Sequence, residues 1–488
     1  MIKINDYLKL NIEEMDNFGR GIAKVDSFVI FVFNALKGET VKAKVINVKK
    51  HYGEAIAEEI IKSSSKREKP KCPYYTLCGG CDLLNLSYEE EINYKKKKVE
   101  EVLKKEVEII PTKRINYRNK LVLHVKEGKI GLFQKNTHSL VPINECLMSD
   151  KKINEIIKRL NNFKSLDKIE EIMIRAFDNV MMNVKGNISS SDLIKDFSDL
   201  FSVYLNNSHI YGEEYIETKF LNLIFRVTPL SFFQVNIKGM EELYKEIKSF
   251  LKLDKKMKLL DLYSGVGTIS LYLAHYVKEV VGIEVVESAV EMANINKKIN
   301  NISNVTFIKG KVEDNLRYLK DIDTLVVDPP RKGLDKMVID ILNKLNLKEF
   351  VYVSCNLSTF KRDLLLLDSY EVKKIKVIDM FPGTYHVETV ALLSKLDVDK
   401  HINIEIELDE LDLTSAESKA TYAQIKEYVW NKFQLKVPTL YIAQIKRKCG
   451  IELREHYNKS KKEKQIIPQC TPEKEEAIMD ALRHFKMI

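Results

Sequence analysis

Between residues 258 and 355 the chain alternates apolar, β-prone runs with amphipathic stretches, and four of the five runs close on a side chain able to do chemistry. Lys258–Tyr263 reads as a buried strand carrying Asp261, and Ser264-Gly265-Val266-Gly267-Thr268 turns it into a helix from Ile269 to Tyr276. Val280–Ile283 reads as the next strand and ends in Glu284, nineteen residues past Gly265. Val305–Lys309 is a third. Thr324–Val327 is a fourth, ending at Asp328, and Val351–Ser354 a fifth, ending at Cys355. A helical stretch follows with Leu357, Phe360, Leu364 and Leu367 on one face. Strands alternating with helices predict an α/β fold with a parallel sheet. In such a sheet Asp261, Glu284, Asp328 and Cys355 line one carboxyl edge, where ligands bind.

Each of these residues has a chemical reading and a plainer one. Glycines in the 264–268 turn let a ligand approach backbone amides, and an acid at the end of the second strand can accept hydrogen bonds from ribose hydroxyls. The turn is not Gly-x-Gly-x-x-Gly, since Ser270 stands where the third glycine would be. Pro329 and Pro330 keep the chain extended after Asp328, which holds that carboxylate at the expected cleft. A free cysteine ionises near pH ~8.5, and its thiolate is strongly nucleophilic. Read alone, Cys355 is better explained as a small buried hydrophobe. Glu388, at the start of the last apolar run (Gly383–Leu393), reads as a surface carboxylate by itself and as a general base when paired with Cys355. Gln234, in Ser231–Asn236 ahead of a helix over 237–251, offers a neutral amide that can donate and accept at a ligand's polar end.

Upstream, glycine-punctuated β-prone runs at Gly21–Ala23, Phe28–Val32 and Thr40–Val48 predict a small barrel with Lys42, Lys44, Lys49 and Lys50 near its end. Cys72, Cys78 and Cys81 form C-x5-C-x2-C, and Cys146 is a distant candidate for a fourth ligand. Four thiolates suit a zinc ion or an iron–sulfur cluster, and the spacing leaves the choice open. Residues 88–105 read as a charged helix whose run Lys95–Lys98 is a solvated face. Strands are expected at Leu121–Val125, 169–185 and 209–227, and a helix at 151–163. The length of 488 residues accommodates roughly three domains or more. The expected segments are a barrel over 1–62, a central α+β domain with the cysteines over 63–228, a catalytic domain over 229–398 and a helical extension over 399–488. In the extension, Ile402–Asp412 is acidic and β-prone, and Thr414–Glu417 caps a helix over 418–432. A second helix over 439–449 follows, and residues 445–464 are strongly basic. The pair of helices has the outline of a helix-turn-helix. A net charge of +9 favours polyanionic partners. No apolar run approaches ~20 residues, so no membrane span is expected. With no apolar core in Met1–Arg20 and no evident disulfide framework among seven cysteines, the expected compartment is a reducing cytoplasm.

The first barrel-like segment resembles the TRAM domain, an OB-like RNA-binding barrel. The strand, glycine turn, helix, strand and acid from Asp261 to Glu284 resemble class I (Rossmann-like) S-adenosylmethionine-dependent methyltransferases. With Ser231–Asn236, Asp328–Gly333, Ser354–Asp363 and His386–Glu388 in order, the chain to about Leu396 resembles the RNA uracil-5-methyltransferases. The barrel and cysteines together point to their 23S ribosomal RNA branch. The resemblance implies Cys355 as a nucleophile toward uracil carbon 6 and Glu388 as the base. It implies S-adenosylmethionine held by Gln234, Tyr263, Glu284 and Asp328, with Asp261 and Gly265 shaping its turn. It further implies a 4Fe-4S cluster on Cys72, Cys78, Cys81 and Cys146, with zinc as the alternative, and a monomer acting on RNA with a flipped target base. Two positions depart from the family pattern: Leu357 replaces a proline and Thr268 an asparagine. The competing readings are a transfer RNA uracil-5-methyltransferase, an amino-group methyltransferase, and a non-catalytic RNA-binding iron–sulfur protein.

Overall fold

The computed structural model describes residues 2–135, 137–315, 318, 321–345, 347–396, 422–433, 435, 437, 439–449 and 472–485. Residues 1–400 form one compact unit and 401–488 another.

In the first unit an amino-terminal six-stranded sheet runs in the order Tyr7–Asn11, Thr40–Val48, Tyr52–Lys62, Phe28–Phe33, Gly21–Val25, Glu14–Met15. Alternation along Thr40–Val48 buries Val41, Ala43 and Val45, the first two in a core shared with Ile30 and Val32. The eleven-residue strand Tyr52–Lys62 lies beyond the last run that sequence patterning marks as β.

A seven-stranded sheet follows, ordered Leu140–Pro142, Lys129–Phe133, Lys120–Lys126, Ile169–Ala176, Val180–Gly186, Ser202–Leu205, Ser208–Gly212. The helix Lys151–Leu160 buries Ile153, Ile156, Ile157 and Leu160 in the same core as Ile172 and Ile174 of the central strand. The β-rich stretch expected over 209–227 divides: Ser208–Gly212 completes this sheet, whereas Ile216–Phe220 and Leu223–Val227 form a separate hairpin. That hairpin packs in one core with Met240, Leu243 and Ile247 of the helix Ile237–Phe250.

The third sheet has eight strands, ordered Val305–Lys309, Glu279–Glu284, Lys258–Leu262, Thr324–Val327, Glu349–Ser354, Glu388–Lys395, Tyr370–Ile378, Glu108–Ile110. The first five are parallel, and Glu388–Lys395 runs antiparallel between its two neighbours. Glu108–Ile110 joins parallel to Tyr370–Ile378, so the sheet draws a strand from far upstream of residue 229.

The helix Tyr88–Leu103 corrects one expectation. Lys95 is fully buried: its Nζ donates to Glu91 at 2.8 Å and to Asp379 at 2.6 Å, and to the Phe381 carbonyl at 3.2 Å. Lys98 is also buried and donates to the Tyr385 carbonyl at 2.8 Å. The lysine run is therefore a solvated face only at Lys96 and Lys97, because the i, i+3 spacing turns Lys95 and Lys98 inward onto acceptors in the loop between Tyr370–Ile378 and Glu388–Lys395.

In the second unit the helices Tyr422–Phe433, Thr439–Lys448 and Pro472–His484 enclose Ile425, Val429, Ile442, Ile478 and Leu482. The expected segment Ile402–Asp412, the cap Thr414–Glu417 and the basic run beyond Cys449 lie outside the described residues. Among the described residues no helix is long and apolar enough to cross a membrane.

Candidate active site

Parallel pairing brings the edge residues together. Lys258–Leu262 lies between Glu279–Glu284 and Thr324–Val327, and Val327 in turn pairs with Tyr352. Glu284, the turn after Leu262, Asp328 and Cys355 therefore leave the sheet at one edge. The strand that begins at Glu388 is antiparallel to the Cys355 strand. Ser354 stands opposite Thr389, whose hydroxyl donates to the Ser354 carbonyl at 3.1 Å. The ladder ends there, and the next residue on each side is Cys355 and Glu388, whose carboxylate acts on the thiol.

The electrostatics follow from that crowding. Burial pushes the Cys355 thiol up to about 12, Glu388 and Asp328 add to the shift, and the Arg331 guanidinium opposes it. Glu388 is only 1% exposed, and burial with the nearby Asp328 holds its carboxyl well above the usual range. Burial also lifts Asp328 to about 7. Arg331 is fixed by its carbonyl, which accepts from the Asn356 amide at 2.9 Å and the Thr359 hydroxyl at 3.1 Å. The turn after the thiol thus anchors the cation that faces it.

The glycine turn has a left-handed backbone. Tyr263 (φ 66°), Gly265 (φ 53°) and Gly267 (φ 84°) take left-handed backbone conformations. A Cβ at Gly265 would meet nothing within 4 Å, whereas one at Gly267 would come within 2.5 Å of the Phe307 ring. Glu284 accepts from the Gly265 amide at 3.0 Å and from the Val286 amide at 2.8 Å. Asp261 is buried; burial lifts it to about 7, against the Ser270 hydroxyl that donates to it at 2.5 Å. Ser270, in the place of a third glycine, therefore has a structural task. Asp261 Oδ1 and Ser264 Oγ are buried without a hydrogen-bond partner among the described residues.

Gln234 is mostly buried, and its carbonyl accepts from the Asn119 amide at 2.9 Å. Its neighbour Phe233 packs in the same core as Val266 of the glycine turn. Among the described residues no hydrogen bond ties the Gln234 side chain to the edge acids.

Two residues that sequence reasoning did not single out belong to this region. Tyr244 is buried with its hydroxyl 2.6 Å from that of Thr268, and Asp328, Asp261 and Glu388 all act on it. The unexpected Thr268 was the available signal, since it takes Tyr244 as partner. Arg331 follows Asp328, Pro329 and Pro330 and had no assigned role.

The early cysteines form a second cluster. Cys72, Cys78, Cys81 and Cys146 line one cavity of about 360 Å³. Burial raises Cys78 to about 11 and Cys81 well above the thiol range, and the neighbouring thiols raise both further. Gly79 lies flat on the strand edge, its amide donating to the Phe133 carbonyl at 3.0 Å, and a Cβ there would come within 2.9 Å of the Lys135 backbone. The donor set is that of a soft metal, whose charge would reverse the thiols' reluctance to ionise. Among the described residues, however, no three His, Cys, Asp or Glu side chains stand at ligand spacing about one point.

Residues 202–396 match the tRNA (uracil-5-)-methyltransferase family and residues 3–57 the TRAM domain. An RNA methyltransferase of Clostridium acetobutylicum is 35% identical over 81% of this chain and 98% of its own length, and one of Clostridium tetani 34% over 80% and 97%. The chain belongs to the RNA uracil-5-methyltransferases. A solved member, the Pyrococcus abyssi tRNA (uracil-54, C5)-methyltransferase in complex with S-adenosyl-L-homocysteine, superposes with a TM-score of 0.67 at 29% identity, over 79% of this chain and all of that one. This methyltransferase therefore combines an α/β S-adenosylmethionine-dependent catalytic fold with a TRAM barrel and acts on RNA. The open side of Gly265 and the two orphaned polar atoms at Asp261 and Ser264 fit a bound cofactor at this turn.

Proposed function

We propose that this methyltransferase modifies carbon 5 of a uracil in 23S ribosomal RNA through a covalent adduct with Cys355. The observation that supports the chemistry is that Cys355 and Glu388 each adjoin the last antiparallel pair, Ser354 with Thr389, and that Glu388 acts electrostatically on the thiol. When bound, S-adenosylmethionine supplies the methyl group. The Cys355 sulfur adds to carbon 6 of the ring, and the electron pair moves to carbon 5, which then takes the methyl group. Glu388 removes the carbon 5 proton, and the electrons of that bond re-form the ring double bond as the carbon–sulfur bond breaks. Its raised affinity for protons makes the ionised carboxylate a stronger base, a role worth roughly 10²–10⁴-fold. Arg331 favours the thiolate that starts the sequence. Gln234, Tyr263, Glu284, Asp328, Asp261 and Gly265 are the residues we assign to the cofactor.

The choice of ribosomal RNA rests on the barrel combined with the cysteine cavity, which we assign to a 4Fe-4S cluster, with zinc as the alternative. The structural likeness to a tRNA (uracil-54, C5)-methyltransferase favours a second reading, a transfer RNA substrate. Incubation with 5-fluorouridine-containing RNA is expected to trap a covalent complex that Cys355→Ala abolishes; an adduct that survives this change refutes the nucleophile. Mass mapping of 5-methyluridine with and without the protein separates the two RNAs. Iron and sulfide in anaerobically purified protein support the cluster, and neither iron nor zinc at stoichiometry removes the metal centre.

A further inference from the structure

Beside the catalytic edge lies a cavity of about 480 Å³ that the methyl transfer does not use, bounded by Arg118, Lys135, Arg331, Tyr385 and His386. Its size falls within the roughly 300–1,000 Å³ of small-ligand sites. Arg331 borders it and also acts on Cys355 and Glu388, so cavity and catalytic pair adjoin. The Tyr385 and His386 rings lie 4.3 Å apart at 37°. Burial keeps the imidazole neutral by lowering it to about 4. Lys135 sits 5.7 Å from the Tyr385 ring and pairs with Asp82, the acid of this wall, which also accepts from the Tyr385 amide at 3.3 Å. The surface does not stop at the catalytic fold. Phe18 of the barrel, 51% exposed, meets the Tyr385 ring edge-on at 5.4 Å. Behind it Arg20 covers Phe31 at 4.3 Å, and Lys135 also lies 5.3 Å from Phe33.

Three cations against one acid, interleaved with aromatic rings, match the chemistry of unpaired nucleotides: phosphates for the cations, base faces for the rings. A duplex keeps its base faces covered and has no use for such rings. We infer that this cavity seats the nucleotide adjoining the target uridine, with its phosphate between Lys135 and Arg331 and its base on Tyr385 and His386. Phe18, Arg20 and Phe31 carry the strand onward over the barrel. The substrate is then a single-stranded segment unstacked at more than the reacting base. The inference rests on the target entering at Cys355 and Glu388.

Fluorescence anisotropy with a labelled decauridylate and with an RNA duplex of equal length tests it on the full chain. The single strand is expected to bind more tightly than the duplex. Phe18→Ala and Tyr385→Ala are each expected to weaken it by roughly 5- to 150-fold, the range of one lost base stack. Tyr385→Phe keeps the ring and is expected to bind as the unaltered protein does. Lys135→Ala is expected to flatten the slope of log affinity against log salt by about 0.7. S-adenosylhomocysteine affinity, measured calorimetrically, reports whether each variant is folded. Folded Phe18 and Tyr385 variants that hold decauridylate unchanged, or a protein that prefers the duplex, would overturn the inference. Cys355→Ala is expected to retain decauridylate binding, so loss of the 5-fluorouridine adduct indicts the catalytic reading and not this surface.

Discussion

Cys355 is held as a thiol by its own surroundings: burial, Glu388 and Asp328 all disfavour its charge, and Arg331 alone among the named groups favours it. In the ligand-free protein its alkylation by iodoacetamide is therefore expected to climb roughly tenfold per pH unit through the range below its raised ionisation. A plateau near pH 9, followed by mass spectrometry of the peptide, would contradict the environment described. Glu388→Gln removes one of the opposing charges and is expected to speed alkylation; Arg331→Met is expected to slow it. The same reasoning separates what was visible at this scale. The position of Cys355 at a strand end could be read from the apolar run before it. The burial of Glu388 could not, because its cover comes from elements remote in the chain.

Among the elements, the glycine turn and the helix Tyr88–Leu103 behave oppositely toward sequence reading. The turn was legible, since left-handed backbone at Gly265 and Gly267 favours glycine, and at Gly267 a Cβ would also clash with Phe307. Gly267→Ala combines backbone strain with a clash against Phe307 and is expected to cost about 1–3 kcal/mol, measured by urea denaturation, with weaker S-adenosylhomocysteine binding. The helix was legible as a helix but not in its orientation. Lys95→Met would leave Asp379 buried without its cation and Glu91 with Arg114 alone, 3.3 Å away, and a loss of about 3–5 kcal/mol is expected. Lys96→Ala, one residue on and 45% exposed at the side chain, is expected to change stability by less than about 0.5 kcal/mol. Equal effects of the two substitutions would show that the buried triad does not hold the helix to the sheet.

At the level of the whole molecule, every residue assigned to the site comes from the unit 1–400, and the helices after residue 421 have a core of their own. A chain ended at Lys400 is expected to keep its cooperative melting transition and the 5-fluorouridine adduct. The full chain is expected to show an additional transition by calorimetry. Loss of the adduct on truncation would mean that the second unit contributes to catalysis. The central segment was the least legible part. Residues 108–110 enter the catalytic sheet and 216–227 form a separate hairpin, and neither assignment follows from local pattern.

The sequence by itself determined the five parallel strands and that Glu284, Asp328 and Cys355 stand at their ends, because apolar periodicity and turn chemistry act over a few neighbouring residues; Asp261 instead lies within its strand, and Tyr370–Ile378 carried no such signal. Only the tertiary structure decided that an antiparallel strand enters between Glu349–Ser354 and Tyr370–Ile378, bringing Glu388 close enough to act on Cys355. It also decided that Lys95 is buried, that Tyr244 stands over Thr268, and that the barrel's Phe18 reaches Tyr385. These are pairings between residues tens to hundreds of positions apart, fixed by sheet register and core packing, which no local propensity encodes.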